Sequence, residues 1–280
     1  MVNILLCGNY KVFDGALTEL ISITNRTKED INCYIFTMDA HNLKPEYTCI
    51  TDKQIDFLNS VVKEKNINNK VTKVDVTDIY NKEFANGKNE GAYCTPYTLL
   101  RLLADLVPDM PDKLLYLDID MMCGGDIAEL YNKDVSDVEY AAVKEKYGCW
   151  VIRPDYINAG MLLFNMQKCR ETRIMEKARA LLKKKKLLFA DQSALFFNTT
   201  KKKLLPRIYN EQSRFNDERT IICHFAKRLM LWPFPPRTEN YKQWHVKEVH
   251  EVLKCHRYDK DLEEYLNRKK EFEEGENDEK

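Results

Sequence analysis

Through the first 120 residues, short apolar runs alternate with stretches whose apolar positions recur at helical spacing. Residues 2–7 (VNILLC) form such a run, closed by Gly8-Asn9, which predicts a buried strand and a turn. Leu17, Leu20, Ile21 and Thr24 then share one helix face. Residues 31–38 (INCYIFTM) are β-branched and aromatic, the signature of a second strand. Thr51 and Gln54 make a capping-box pair, opening a helix with Ile55, Leu58, Val61 and Val62 on its apolar face. Residues 71–76 alternate as a third strand, and Thr95-Pro96 open a helix to residue 107 that carries Leu99, Leu102, Leu103 and Leu106. Residues 113–120 (KLLYLDID) read as a strand that turns acidic at its end. This alternation predicts an α/β, Rossmann-like fold, a mostly parallel sheet flanked by helices. The second half is less regular, with strands expected at 138–143 and 159–164 and a helix at 167–185. No repeat or long linker interrupts the chain, so one compact domain at 1–245 and a charged helical appendage at 246–280 are expected.

Composition narrows the function classes. Lys+Arg equals Asp+Glu at 44 each in 280 residues, which argues against a nucleic-acid binder. No apolar run approaches the ~18 residues of a membrane span, and no basic segment precedes an apolar one at the start. Residues 171–207 are strongly basic and 259–280 acidic. Solvated surface is the plain reading of both; a face for an anionic acceptor or for peripheral membrane contact is the sharper reading of the basic stretch. Nine cysteines, none closer than Cys33 and Cys49, suit reduced thiols better than a disulfide framework or zinc cage.

The strongest chemical signal is Asp118-Ile119-Asp120 after four apolar residues, which places two carboxylates at the carboxyl end of a buried strand. Ligands bind at that end in open α/β sheets, and paired carboxylates with phosphate oxygens suit Mg²⁺ or Mn²⁺. Residues 115–120, continuing through Gly124-Gly125-Asp126-Ile127, resemble the metal-binding segment of glycosyltransferase family 8. Asn9-Tyr10, Arg101, residues 158–165 (NAGMLLFN), Asp191-Gln192 and Cys223-His224-Phe225 follow the same family's order. The resemblance implies a GT-A fold and a retaining hexosyltransferase, moving glucose or galactose from a UDP-sugar to an acceptor hydroxyl on a glycan, glycolipid or glycoprotein. A lipopolysaccharide precursor is the expected kind of acceptor and the cytoplasm, including the inner membrane face, the expected location. The alternative is a catalytically degenerate carbohydrate- or nucleotide-binding protein on the same fold.

The resemblance also implies roles. Asp118, Asp120 and His224 hold the metal, and an imidazole among carboxylates favours Mn²⁺ over Mg²⁺. Asn9 and Tyr10 meet the base, Tyr10 by stacking. Cys7 stands where the family often has an acid, so a uracil contact through a carboxylate is not expected here. Arg101 reaches the donor and orders a carboxylate; Ile119 belongs to the donor-binding turn; Asn158, Ala159 and Gly160 meet the sugar, with Gly160 permitting close backbone approach. Asp191 and Gln192 are the sugar-binding and catalytic pair, although an N-cap role would equally explain Asp191. The family commonly continues with a second acid, and Ser193 stands there instead, which disfavours a carboxylate nucleophile. The family's phosphate-binding lysine, six residues after the histidine, is Met230 without a gap. A loop inserted between 226 and 241 would make Lys242, with Trp244, its counterpart; Lys227 and Arg228 are the competing cations.

Overall fold

The computed structural model describes residues 1–89, 96–230 and 234–277. Strand β1 (Val2–Cys7) sends Val2, Ile4 and Leu6 to one face of the sheet and Leu5 and Cys7 to the other. Burial on both faces explains why the run is nearly all apolar rather than alternating. Helix α1 (Phe13–Thr24), β2 (Ile31–Thr37), α2 (Asp52–Lys65), β3 (Lys70–Asp75) and α3 (Thr77–Phe84) follow. The Thr51–Gln54 capping box forms in full, and Ile55, Leu58, Val61 and Val62 are the buried residues of α2.

A 3-10 segment at Pro96–Leu103 leads to β4 (Lys113–Leu117), β5 (Met121–Cys123), α4 (Ala128–Tyr131), β6 (Tyr140–Lys144), α5 (Gly148–Val151) and β7 (Ile157–Asn165). Next come α6 (Met166–Thr172), α7 (Ile174–Lys184), α8 (Ala190–Asn198) and β8 (Lys202–Leu205). Strands β9 (Ile222–His224), β10 (Arg228–Met230) and β11 (Arg237–Glu239) and helices α9 (Val246–Glu251) and α10 (Asp259–Asn277) complete the chain.

The main sheet has the order β3-β2-β1-β4-β7-β6-β8. It is parallel from β3 to β4, antiparallel at β4–β7 and β7–β6, and parallel again at β6–β8. One face is covered by α1, α2 and α10, the other by the 3-10 segment, α3 and α6–α8. Strands β2 and β3 lie on one side of β1, and β4 on the other, so a crevice opens beyond Cys7 and Leu117 where the winding reverses. Two small antiparallel sheets, β5–β9 and β10–β11, stand outside the main one.

Three expected elements differ. The strand expected at 113–120 stops at Leu117, because the chain leaves the main sheet there and pairs again as β5 with β9. Of the helix expected at 95–107, Thr95 lies outside the described residues, and Pro96–Leu103 is 3-10. Nearly all of that segment is buried, and Arg101 Nε bonds the carbonyl of Thr98 three residues back. The helix expected at 167–185 breaks at Arg173, whose φ of 56° lies in the left-handed region, so α6 and α7 pack separately.

The charged stretches are only partly solvated. Arg179, 3% exposed, pairs with Asp105 at 2.6 Å and Glu83 at 3.3 Å. Asp261, 2% exposed, pairs with Arg26 at 2.7 Å. Helix α10 lies on α1 and α2, with the Phe272 ring 4.5 Å from Phe13 and 5.1 Å from Phe57. On α1, Glu19 is fully buried, and neither carboxyl oxygen meets a hydrogen-bond donor among the described residues. Burial raises its pKa well above the ordinary value, and the charges of Asp120 and Asp118 raise it further.

Two predictions follow from this packing. Removing a buried ring costs about 3–5 kcal/mol, so Phe272→Ala should lower unfolding free energy by about that much in urea titration; a loss under about 1 kcal/mol would mean that α10 is dispensable to the domain. For Glu19, the folded chain keeps a proton that the unfolded chain releases above about pH 4.5. Its contribution therefore weakens stability as pH rises from there toward the raised folded value. Glu19→Gln should flatten that decline between about pH 5 and 8, measured as Tm against pH; identical slopes would show that Glu19 is ionised in the fold.

Candidate active site

Beyond Cys7 and Leu117 a cleft of about 520 Å³ is lined by Asn9, Lys11, Asp118, Ile119, Asp120 and Lys242, among others. A smaller cavity of about 120 Å³ shares Asp118 and adds Arg101, Asn158, Ala159, Gly160, Asp191 and Gln192. Tyr10 lines neither. Its backbone N–H is held by the Thr48 carbonyl, its carbonyl accepts from Gln54 Nε2 at 3.0 Å, and the rings facing the cleft are Tyr47, Tyr97 and Tyr116. Of the rings that line the cleft, Tyr47 and Tyr97 pack edge to face at 5.5 Å. Asn9 lines the cleft while its side chain accepts from Lys11 N and donates to the Glu46 carbonyl. Burial pushes the Cys7 thiol up, so it stays neutral at the position where a carboxylate was not expected.

Two buried ionic groups build the floor. In the first, Arg101, 2% exposed, donates to Asp118 Oδ1 at 2.9 Å, pairs with Asp191 Oδ2 at 3.2 Å and donates to the Ala159 carbonyl. Its guanidinium lies 3.9 Å from the centroid of the Tyr116 ring, whose hydroxyl donates to Asp118 Oδ1 at 2.6 Å. Burial raises the pKa of Asp191, and Arg101 opposes the shift. Asp191 therefore sits within the first turn of α8 as an ion-pair partner; the residue at the cap is Phe189. Next to it, Gln192 Oε1 accepts from Ala159 N at 2.9 Å. The Ser193 hydroxyl points into the core, 2.7 Å from the Tyr156 hydroxyl.

In the second group, β5–β9 pairing sets Met121 opposite His224, and Phe225 N donates to the Asp120 carbonyl at 2.8 Å. His224 Nε2 consequently lies 3.0 Å from Asp120 Oδ1 and 3.8 Å from Asp118 Oδ2. The three ligand atoms fall within 4.8 Å of one another. On the far side of the ring, Nδ1 donates to Asn210 Oδ1 at 3.0 Å when it carries the proton, which leaves the Nε2 lone pair toward the carboxylates. Asn210 Nδ2 in turn donates to Asn158 Oδ1 at 2.9 Å. Asn210 carries no motif of its own and was not a sequence candidate. A Cβ on Gly160 would lie 2.5 Å from His224 Cε1 and 2.9 Å from Asp118 Oδ2, so only glycine lets these ligands approach β7. Two carboxylates, one imidazole and an oriented outer ring nitrogen fit a divalent cation.

Lys242 reaches the same place. Its Nζ pairs with Asp120 Oδ2 and donates to the Phe225 carbonyl at 3.2 Å. Burial would raise the Asp120 pKa, but His224 and Lys242 together hold it well below the ordinary carboxylate range. The β10–β11 hairpin occupies the interval from His224 to Lys242; Trp232 within it lies outside the described residues. Gln243, fully buried, donates to the carbonyls of Ile119 at 3.0 Å and Met121 at 3.3 Å and so ties Lys242 to the acidic turn. Arg228 is instead paired with Glu239 at 2.9 Å in that hairpin.

The chain is similar to lipopolysaccharide 1,3-galactosyltransferase of Salmonella typhimurium, 30% identical over 159 residues, 47% of this chain and 47% of that protein. It thus spans about half the length of that relative. A putative glycosyltransferase of Haemophilus influenzae is 24% identical over 91% of this chain and 76% of its own length. In structure, the chain is similar to galactosyltransferase LgtC, solved in complex with donor and acceptor sugar analogues, with a TM-score of 0.68 at 16% identity over 94% of this chain and 96% of that one. That likeness establishes the GT-A fold. With the acidic turn, the histidine and the order of the motifs all lying inside residues 3–248, the span matched by the model for glycosyl transferase family 8, the chain belongs to that family.

Proposed function

We propose that the protein is a retaining hexosyltransferase that moves glucose or galactose from a UDP-sugar to a hydroxyl of a glycan, glycolipid or glycoprotein. One observation carries this reading: the cluster of Asp118, Asp120 and His224 shares Asp118 with the buried Arg101–Asp191 pair, so a cation site and a sugar-sized cavity adjoin. A divalent cation there, Mn²⁺ or Mg²⁺, supplies neutralisation of the diphosphate leaving group. Lys242 adds a fixed cation at the same edge. Asp191 offers acceptors to sugar hydroxyls and Asn158, whose Oδ1 accepts from Gly160 N and Asn210 Nδ2, offers its amide N–H, with Gln192 beside them in the same cavity. Ser193, turned into the core, gives no nucleophile, which favours same-face transfer with developing charge stabilised by the surrounding carboxylates. The UDP-sugar donor places the reaction in the cytoplasm, and no helix among the described residues is long and apolar enough to cross a membrane. Helices α9 and α10 act as an extension of the catalytic domain.

The test is UDP release with Mn²⁺ across a panel of UDP-sugars, with and without acceptor. Metal assistance contributes several kcal/mol, so Asp120→Asn or excess chelator should lower turnover about 100-fold or more. Tight donor binding with no UDP release from any panel member would instead establish the degenerate binding protein.

Lys242 has its own test. A charge-assisted phosphate contact contributes about 1.5–3 kcal/mol, so Lys242→Ala should weaken UDP affinity about 10- to 150-fold in calorimetry with Mn²⁺. Arg228→Ala should bind UDP like the parent; if Lys227→Ala or Arg228→Ala loses affinity and Lys242→Ala does not, the ungapped alignment is the correct one.

A further inference from the structure

Two of the chain's five histidines lie outside the cleft and converge on one carboxylate. His250, near the end of α9, and His256, in the following turn, stack with ring centroids 5.0 Å apart and planes 14° from parallel. Asp259, the first residue of α10, places Oδ1 3.0 Å from His250 Nε2 and Oδ2 3.3 Å from His256 Nδ1. One ligand atom from each falls within 4.8 Å of the others. Two metal–ligand bonds of about 2.0–2.1 Å meeting at a tetrahedral angle hold their ligand atoms about 3.3–3.4 Å apart. His256 Nδ1 already lies at that edge length from Asp259 Oδ2, and His250 Nε2 lies 3.0 Å from the other oxygen of the same carboxylate.

The geometry is set by the backbone rather than by the three side chains alone. Asn216 grips the turn from outside, donating to the Lys254 carbonyl at 2.7 Å and accepting from His256 N at 3.1 Å. Lys254 adopts a φ of 51°, the left-handed conformation that brings His256 back over His250. Arg257, two residues before Asp259, is committed to the carbonyls of Gly124, Asp217, Glu218 and Thr220. The Asp259 carboxylate pairs with the two imidazoles. Two imidazoles, one carboxylate and positions open to water form a donor set suited to Zn²⁺, softer than the carboxylate-rich cluster in the cleft.

We propose that His250, His256 and Asp259 form a second metal site, for Zn²⁺ or a cation of that class, separate from the Asp118, Asp120 and His224 cluster. Bound metal ties the end of α9 to the start of α10. Through Arg257 and the Gly124 carbonyl, that tie extends to the segment after β5.

The experiment titrates chelator-stripped full-length protein with Zn²⁺ by calorimetry and with Co²⁺ by visible absorption. Parent, His250→Gln, His256→Gln and Asp118→Asn proteins are compared, each checked for parental circular dichroism without metal. Loss of a ligand should cost at least the 10- to 100-fold that loss of a ligand's outer partner costs, about one Zn²⁺ equivalent lost in either histidine variant. Their Mn²⁺ affinity should match the parent, and Asp118→Asn should keep the Zn²⁺ equivalent that the histidine variants lose. Zn²⁺ stoichiometry and affinity unchanged in both histidine variants overturns the site, as does Zn²⁺ binding that vanishes entirely in Asp118→Asn. Occupancy is read without turnover, so the outcome is independent of the transferase reading.

Discussion

A guanidinium buried between two carboxylates organises the catalytic end of this molecule. Arg101 is 2% exposed, and desolvating it would be prohibitive without Asp118 and Asp191 on either side. Each partner comes from a different element: Asp118 from the turn after β4, Asp191 from the first turn of α8. The Ala159 carbonyl at the start of β7 takes a further N–H. Breaking one member of such a group leaves an uncompensated charge at about 3–5 kcal/mol. The 3-10 segment, the main sheet and α8 are therefore held in one relative position by electrostatics as much as by apolar packing. That the segment bearing Arg101 is nearly all buried, and wound more tightly than an α-helix, is consistent with this anchoring.

Asp118 belongs to both ionic groups, which joins the cluster of Asp118, Asp120 and His224 to the cavity beside Arg101. On its other side stand His224, Asp120 and Lys242, and the approach is close enough that Gly160 admits no side chain. Such density gives preorganisation: His224 is oriented by Asn210, Lys242 by the Phe225 carbonyl, and the acidic turn by Gln243. Fixed donors and charges of this kind need no reorganisation when charge develops on a leaving group. Glu19 is a buried carboxyl whose pKa burial raises, with the charges of Asp120 and Asp118 adding to the shift.

The C-terminal helices extend the same logic outward. Helix α10 covers α1 with Phe272 and Tyr265, pairs Asp261 with Arg26 and Lys269 with Asp14, and reaches α2 through Glu264 with Lys65 and Arg268 with Glu64. An acidic stretch that reads as solvated surface thus carries a buried face. Arg257, just before that helix, bonds carbonyls on both sides of the small β5–β9 sheet that carries His224.

The amino-acid sequence by itself determined the α/β class, the bounds of β1, the capping box of α2 and the acidic turn, because each is a local pattern of polarity or capping. The family order of motifs also named Arg101, Asp191, Gln192 and His224, and the structure gathers these around Asp118. Pairing partners are not local, and there the sequence was silent or wrong. Residues 113–120 read as one strand, yet Leu117 ends β4, since the next residues bond β9 about a hundred positions later. Tyr10 follows β1 as expected, while the rings that line the cleft, Tyr47, Tyr97 and Tyr116, come from segments that no motif marked. Asn210 has no signature at all, being recognisable only once His224 and Asn158 stand on either side of it. Lys242 was one of three cations separable in sequence only by a gap of unknown length. Tertiary structure sets Lys242 against Asp120, because strands β10 and β11 lie in that gap, Arg228 pairs with Glu239 between them, and Gln243 binds the backbone of the acidic turn next to Lys242.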